Sequence, residues 1–334
     1  MSGSAISAER RRVMLRSAMG SAIAVALSDP KVIEVMVNPD GALRVDILGE
    51  GRVDTKVRID PAQVERIIRL VASHARSEVH SDRPIVSAEL PPHGDSAGER
   101  FEGILPPVAL APCFSIRKPA ARIYTLLDYV ADGIMSAEAA RLLAQAIVER
   151  RNILVVGGTS SGKTTLANAL LTEMAGLDER VILIEDTREL QCAAPDVVAL
   201  RTRPNTADRS AGVTMADLVR STLRLRPDRI IVGEVRGPEA LDMLKAWNTG
   251  HPGGIATVHA NSALSALYRI EQLVAEAVVS VPRVLIADAI DLVVFIAGRG
   301  LARRVETIAR VAGLDPDGGY GLIDITPHAH PEGD

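Results

Sequence analysis

The chain has 334 residues, 47% hydrophobic and 24% charged, which fits a globular protein long enough for two cores. A net charge of −4 and only 2% aromatic residues argue against direct nucleic-acid binding, which calls for a basic field and aromatic platforms for bases. Its two cysteines, Cys113 and Cys192, exclude a disulfide framework and a cysteine zinc module, and point to a reducing, cytosolic compartment.

The N-terminal stretch places Arg10, Arg11 and Arg12 before SAMGSAIAVAL, a pattern with some likeness to a secretory leader. Arg16 interrupts it, and Leu15, Met19, Ile23 and Leu27 recur every four residues, so an amphipathic helix is expected instead. No run approaches ~18 consecutive apolar residues, so no membrane span is expected. Short strand patterns follow at VIEVMVN, ALRVDIL and RVDTKVRI, with turns at Pro39-Asp40-Gly41 and Gly49-Glu50-Gly51. Asp60-Pro61 reads as a helix cap and first helical residue. PIVSAEL, RFEGILP and CFSIRK add further strands, giving an N-terminal α+β domain over residues 1–120.

Residues 121–136 read as a linker that carries some packing residues, with Ser136 capping the next helix. From 137 to 334 the pattern alternates. Strands are expected at NILVVG, RVILIED, DRIIVGE, GIATVHA, DAIDLVVFI, RRVETIARV and YGLIDIT, and helices after Lys163, Thr214, Pro238 and Ser262. The early strands are continuous apolar runs, as in a sheet covered on both faces. The fold class is therefore α/β: a domain with a mainly parallel sheet, behind the smaller α+β domain. The polar tail HAHPEGD is expected to fray.

GGTSSGKTT is the strongest motif. It lies between an apolar strand and a helix, as a phosphate loop must. Backbone N–H groups of Gly157, Gly158, Thr159, Ser160, Ser161, Gly162 and Thr165 would cradle phosphates, aided by the helix N-terminus. Lys163 would reach the β- and γ-phosphates of ATP, and the Thr164 hydroxyl would hold Mg²⁺. Glu234 ends the strand RIIVGE, where a carboxylate can act as base or orient the attacking water. Glu185 and Asp186 end another strand. Glu185 is a candidate for Mg²⁺ or its water shell, the alternative being a turn cap at Asp186 and an arginine pair at Glu185. His259 ends GIATVH at the same edge, without partners at zinc-ligand spacing. His251, before that strand, belongs to the opposite end.

Four motifs in this order, GGTSSGKTT, ILIEDTREL, RPDRIIVGEVRGPEA and GGIATVHANS, resemble the secretion ATPases of the type II and type IV superfamily, and within it the conjugal-transfer branch. EVMVNPDG, PHGDSAGERFEG and FSIRKPA extend the resemblance over nearly the whole chain. It implies a RecA-like phosphate-loop ATPase domain over residues 137–334 and a homo-hexameric cytoplasmic ring, peripheral at the inner-membrane face, that hydrolyses ATP and works with inner-membrane components of a secretion or conjugation machine. By motif position Glu234 matches the catalytic glutamate, Glu185 the Asp-box acid and His259 the His-box histidine, read here as a γ-phosphate sensor. Arg100 and Arg117 match N-terminal-domain arginines that contact nucleotide, which suits guanidinium forks. Arg220, Arg224 and Arg226 are candidates for a finger acting across a subunit boundary, or form a solvated helix face. Tyr124 and Leu127 are candidates for the adenine pocket, or pack the domain boundary. Alternatives are a pilus extension or retraction ATPase, a nucleotide-dependent nucleic-acid ring, and an ATP-binding scaffold without turnover.

Overall fold

The computed structural model describes residues 3–75, 77–91, 98–119, 123–203 and 212–327. The tail 328–334 and most of the PHGDSAG segment lie outside them, as do the side chains of Arg10, Arg11 and Arg12. The described residues form two compact units, 3–119 and from 123 onward.

In the first unit the order is α1 (Gly3–Ser28), β1 (Val32–Val37), β2 (Ala42–Ile47), β3 (Gly51–Arg58), α2 (Pro61–His74), β4 (Ile85–Glu89), β5 (Arg100–Ile104) and β6 (Cys113–Arg117). The strands form one antiparallel sheet, β3-β2-β1-β6-β5-β4. In α1, Leu15, Met19 and Ile23 are buried as the four-residue spacing requires. The helix breaks at Gly20 (φ 77°), and after Ile23 the next buried position is Ala26, with Leu27 half-buried. Gln63 Nε2 donates to Ala18 O near that break. Asp60 caps α2 through the Ala62 N–H, 2.9 Å. Val64, Ile67, Ile68 and Val71 pack with Phe101, Phe114 and Ile116 of the sheet into one core.

The second unit continues with α3 (Leu126–Ala131), α4 (Ala137–Val148), β7 (Ile153–Gly157), α5 (Lys163–Thr172), β8 (Arg180–Glu185), β9 (Asp196–Arg201), α6 (Met215–Thr222), β10 (Arg229–Val232), α7 (Glu239–Asn248), β11 (Ile255–His259), α8 (Ala263–Ala275), α9 (Arg283–Ala289), β12 (Leu292–Ala297), β13 (Arg304–Leu314) and β14 (Tyr320–Asp324). Its sheet runs β14-β13-β12-β7-β11-β10-β8-β9. The six strands from β12 to β9 are parallel, and β13 and β14 add antiparallel. Helices cover both faces. Ile153 and Val155 of β7 pack with α3, α4 and α5, while Leu154 and Val156 pack with α7 and α8.

Three elements differ from the sequence reading. The segment 121–136 contains α3, closed by a Thr125–Asp128 capping box, and its Leu126 and Tyr129 are buried in the second unit's core. DAIDLVVFI is not one strand: α9 runs through Ala289, with Ile286, Ala287 and Ala289 buried, and β12 starts at Leu292. β9, the run VVAL between Asp196 and Arg201, is a half-exposed edge strand that the sequence reading did not include. Among the described residues no helix is long and apolar enough to cross a membrane.

Candidate active site

β7 enters the phosphate loop between two parallel neighbours, β12 and β11. Gly157 has no room for a side chain, since a Cβ there would stand 2.3 Å from Ile296 O. Gly162 takes φ 98° and opens α5 without a side-chain cap. Ser160 also has positive φ, 63°. The buried Ser161 Oγ has no hydrogen-bond partner. An uncapped helix N-terminus beneath a curled loop leaves N–H donors with no internal acceptor, which suits phosphate oxygens. Half-buried Thr164, in the first turn of α5, supplies the hydroxyl that would hold Mg²⁺ there.

Because β11 sits between β7 and β10, the exits of three strands lie side by side. His259 pairs in register with Gly157. Thr257 Oγ1 donates to Gly233 O (2.7 Å) and Val235 N to Thr257 O (2.9 Å), tying the β10 exit to β11. Lys163 is buried, and its Nζ donates to Gly158 O at 3.0 Å. The same Nζ stands 3.2 Å from His259 Nδ1 and 3.3 Å from Nε2. His259 Nε2 is 2.9 Å from Glu234 Oε1, and Arg236 Nη2 bonds Glu234 Oε2. Partial burial, then the Lys163 charge, holds the His259 imidazole below its ordinary pKa, against the pull of Glu234. That shift favours the neutral imidazole, which has both a donor and an acceptor nitrogen.

The two glycines before β11 have separate causes. Gly253 takes φ 85°, with Arg229 Nη1 2.7 Å from where a Cβ would sit. At Gly254 a Cβ would fall 2.0 Å from Trp247 Nε1, whose N–H donates to Ile230 O. His251 lies at the amino end, its Nδ1 2.9 Å from Pro227 O.

Glu185 is buried at the β8 exit, and its Oε1 accepts from Glu189 N (2.9 Å) and Leu190 N (2.8 Å) rather than from an arginine. Burial pushes its carboxyl up to about 7, against those two N–H groups. Asp186 accepts from Thr202 Oγ1. Arg220 is committed to Asp217 and Asp242, at 2.7 and 2.9 Å. Arg224 and Arg226 lie beyond the end of α6, so they are not part of that helix's face. Tyr124 packs edge-on against Tyr129, and Leu127 is exposed. In the first unit, Arg100 of β5 and Arg117 of β6 are cross-strand partners. Phe101 and Ile116, the next residues, point into the core, so the two arginines share the other face. Each also stands opposite a glutamate on its other neighbour, Glu89 of β4 for Arg100 and Glu34 of β1 for Arg117.

Three arginines at the second unit's site escaped the sequence reading. Arg299 Nε donates to Thr159 O at 3.1 Å, and Arg303 lies against Gly162. Both come from the turn between β12 and β13. Arg236 is the third. Only the spacing E-x-R after the β10 strand hinted at it.

A family model for type II/IV secretion system proteins matches residues 18–314. The chain belongs to that family. It is 48% identical over 301 residues to the conjugal transfer protein TrbB of Rhizobium radiobacter, covering 90% of each chain. It is 34% identical over 314 residues to the type IV secretion system protein PtlH of Bordetella pertussis, covering 84% of this chain and 91% of that one. The crystal structure of the pilus retraction motor PilT with bound ADP shares the fold, with TM-score 0.59 at 19% identity over 92% of this chain and 82% of that one. The family expected from the four motifs and the α/β fold class are both met.

Proposed function

We propose that this protein is an ATP hydrolase that powers conjugative type IV secretion. The observation that carries the chemistry is the row Lys163, His259, Glu234 on three adjacent strand exits, beside an uncapped phosphate loop. The 48% identity to a conjugal transfer protein over 90% of both chains supports the biological setting over a pilus motor.

In this reading the phosphate loop, Gly157 to Thr165, binds the phosphates of ATP, and Lys163 turns from Gly158 O to the β- and γ-oxygens. Glu234 orients a water and takes its proton as the water oxygen attacks the γ-phosphorus. The bond to the bridging oxygen breaks, and ADP and phosphate leave. His259, neutral beside Lys163, reports the γ-phosphate through one hydrogen bond. Mg²⁺, held by Thr164 and through water by Glu185, would neutralise phosphate charge. By motif position Arg100 and Arg117 are further candidates for contacts to nucleotide phosphates. The protein works as a cytoplasmic homo-hexamer at the inner-membrane face, docked on membrane components of the machine. Direct nucleic-acid binding is not part of this reading.

The test is steady-state hydrolysis and ATP binding by wild type, Lys163→Ala and Glu234→Gln. Lys163→Ala should lose binding or turnover. Glu234→Gln should bind ATP normally with kcat lower by about 100- to 10,000-fold. Equal turnover in all three would overturn the mechanism. Turnover stimulated by DNA, with affinity falling steeply in salt, would favour a nucleic-acid ring instead.

A further inference from the structure

The two oxygens of the Glu234 carboxylate are treated differently. Oε2 accepts from Arg236 Nη2. Oε1 is buried and accepts no hydrogen bond, although His259 Nε2 stands 2.9 Å away. A buried carboxylate oxygen without a donor is costly, and such atoms gather where chemistry needs them open.

The backbone beneath Arg236 is fixed. Glu239, buried in the first turn of α7, accepts from Arg236 N at 2.8 Å and Gly237 N at 2.9 Å through one oxygen. It thereby replaces the side-chain cap that Pro238 cannot provide. One residue before Arg236, Val235 N is tied to Thr257 O. The chain from 233 to 237 is therefore held at β11 and at α7, with Glu234 and Arg236 two residues apart. Asp186 and Glu189, from the β8 exit, also act on the guanidinium electrostatically, so it is the cation among three carboxylates.

We infer that Arg236 is a positioning residue for Glu234: it grips Oε2 and leaves Oε1, which faces His259 Nε2, as the atom that meets the attacking water once that imidazole turns to the γ-phosphate. This rests on the hydrolytic role of Glu234 proposed above. Arg236 acts through Glu234 and does not touch the nucleotide. Its side chain is 52% exposed, so the ion pair contributes little to folding. A purely structural arginine would instead change melting temperature and nucleotide affinity along with the rate.

The experiment compares wild type, Arg236→Ala, Arg236→Lys, Glu234→Gln and the Arg236→Ala/Glu234→Gln double variant. The readouts are steady-state kinetics, binding of a fluorescent ATP analogue and thermal melting. Arg236→Ala should keep ATP affinity within about twofold and lose about 10- to 100-fold in kcat. Its melting temperature should stay within about 3 °C. Arg236→Lys keeps the charge without the planar fork and should recover part of kcat. The double variant should be no slower than Glu234→Gln alone, because both changes act on one carboxylate. Should Arg236→Ala not fold, Arg236→Gln carries the same expectations. Wild-type kcat in Arg236→Ala, equal losses of affinity and rate, or multiplying losses in the double variant would each overturn the inference. A wild type without turnover, or an active Glu234→Gln, would instead overturn the reading on which it rests.

Discussion

The two edges of the second unit's sheet hold similar residue types to opposite ends. At the amino edge, Arg229 is fully buried and bonded to Glu179, with its Nη2 donating to Ile147 O at 2.8 Å. Arg150 closes on Glu179 from outside at 2.6 Å. Asn152, also buried, accepts from Gly253 N and Gly254 N and donates to Ala289 O. At the carboxyl edge, Lys163, His259, Glu234 and Arg236 form a row with one buried carboxylate oxygen that accepts no hydrogen bond and a half-exposed imidazole. Charges that are buried and satisfied fix a structure. Charges that are linked but incompletely satisfied are poised for a ligand.

The comparison sharpens into paired measurements. Arg229→Ala leaves Glu179 with only Arg150 and should cost about 3 kcal/mol of stability. Its kcat, measured well below the melting point, should stay within about threefold of wild type. Asn152→Ala strands the Gly253 and Gly254 N–H groups and should cost about 2 kcal/mol by denaturant unfolding, again with turnover intact. His259→Ala should move stability by less than about 0.5 kcal/mol and lower kcat by about tenfold. If His259→Ala melts the protein as Asn152→Ala does and spares turnover, the distinction between the edges fails.

Much of this was legible in the sequence because it rests on local rules. The phosphate loop announces itself by glycine spacing between a strand and a helix. Asp60, Ser136 and Ser262 cap their helices as residue type predicts. β7, β8, β10 and β11 are short buried apolar runs bounded by turn signals, which read as strands of a covered parallel sheet. What stayed hidden depends on strand order. β11 follows β10 in the chain yet inserts between β10 and β7, and that insertion carries His259 to both Lys163 and Glu234. Arg299 and Arg303 reach the phosphate loop from about 140 residues away because β12 pairs with β7, a neighbour relation no local pattern encodes. β9 was missed because its apolar run VVAL is only four residues long and lies between polar, proline-containing stretches, so pairing with β8 and not length makes it a strand. α9 was absorbed into a strand reading because Ala, Ile and Asp in a short run serve either period.

The indole packed against Gly254 has a practical consequence. Trp247 is the only tryptophan in the chain, and it is shielded from water where β10 and β11 begin. Its emission is an optical label already installed in the second unit, and the first unit has no tryptophan to blur it. A blue-shifted band marks an intact sheet and a red shift marks its opening. The ultraviolet lamp can therefore watch the motor domain come apart by itself, without a dye or an engineered residue.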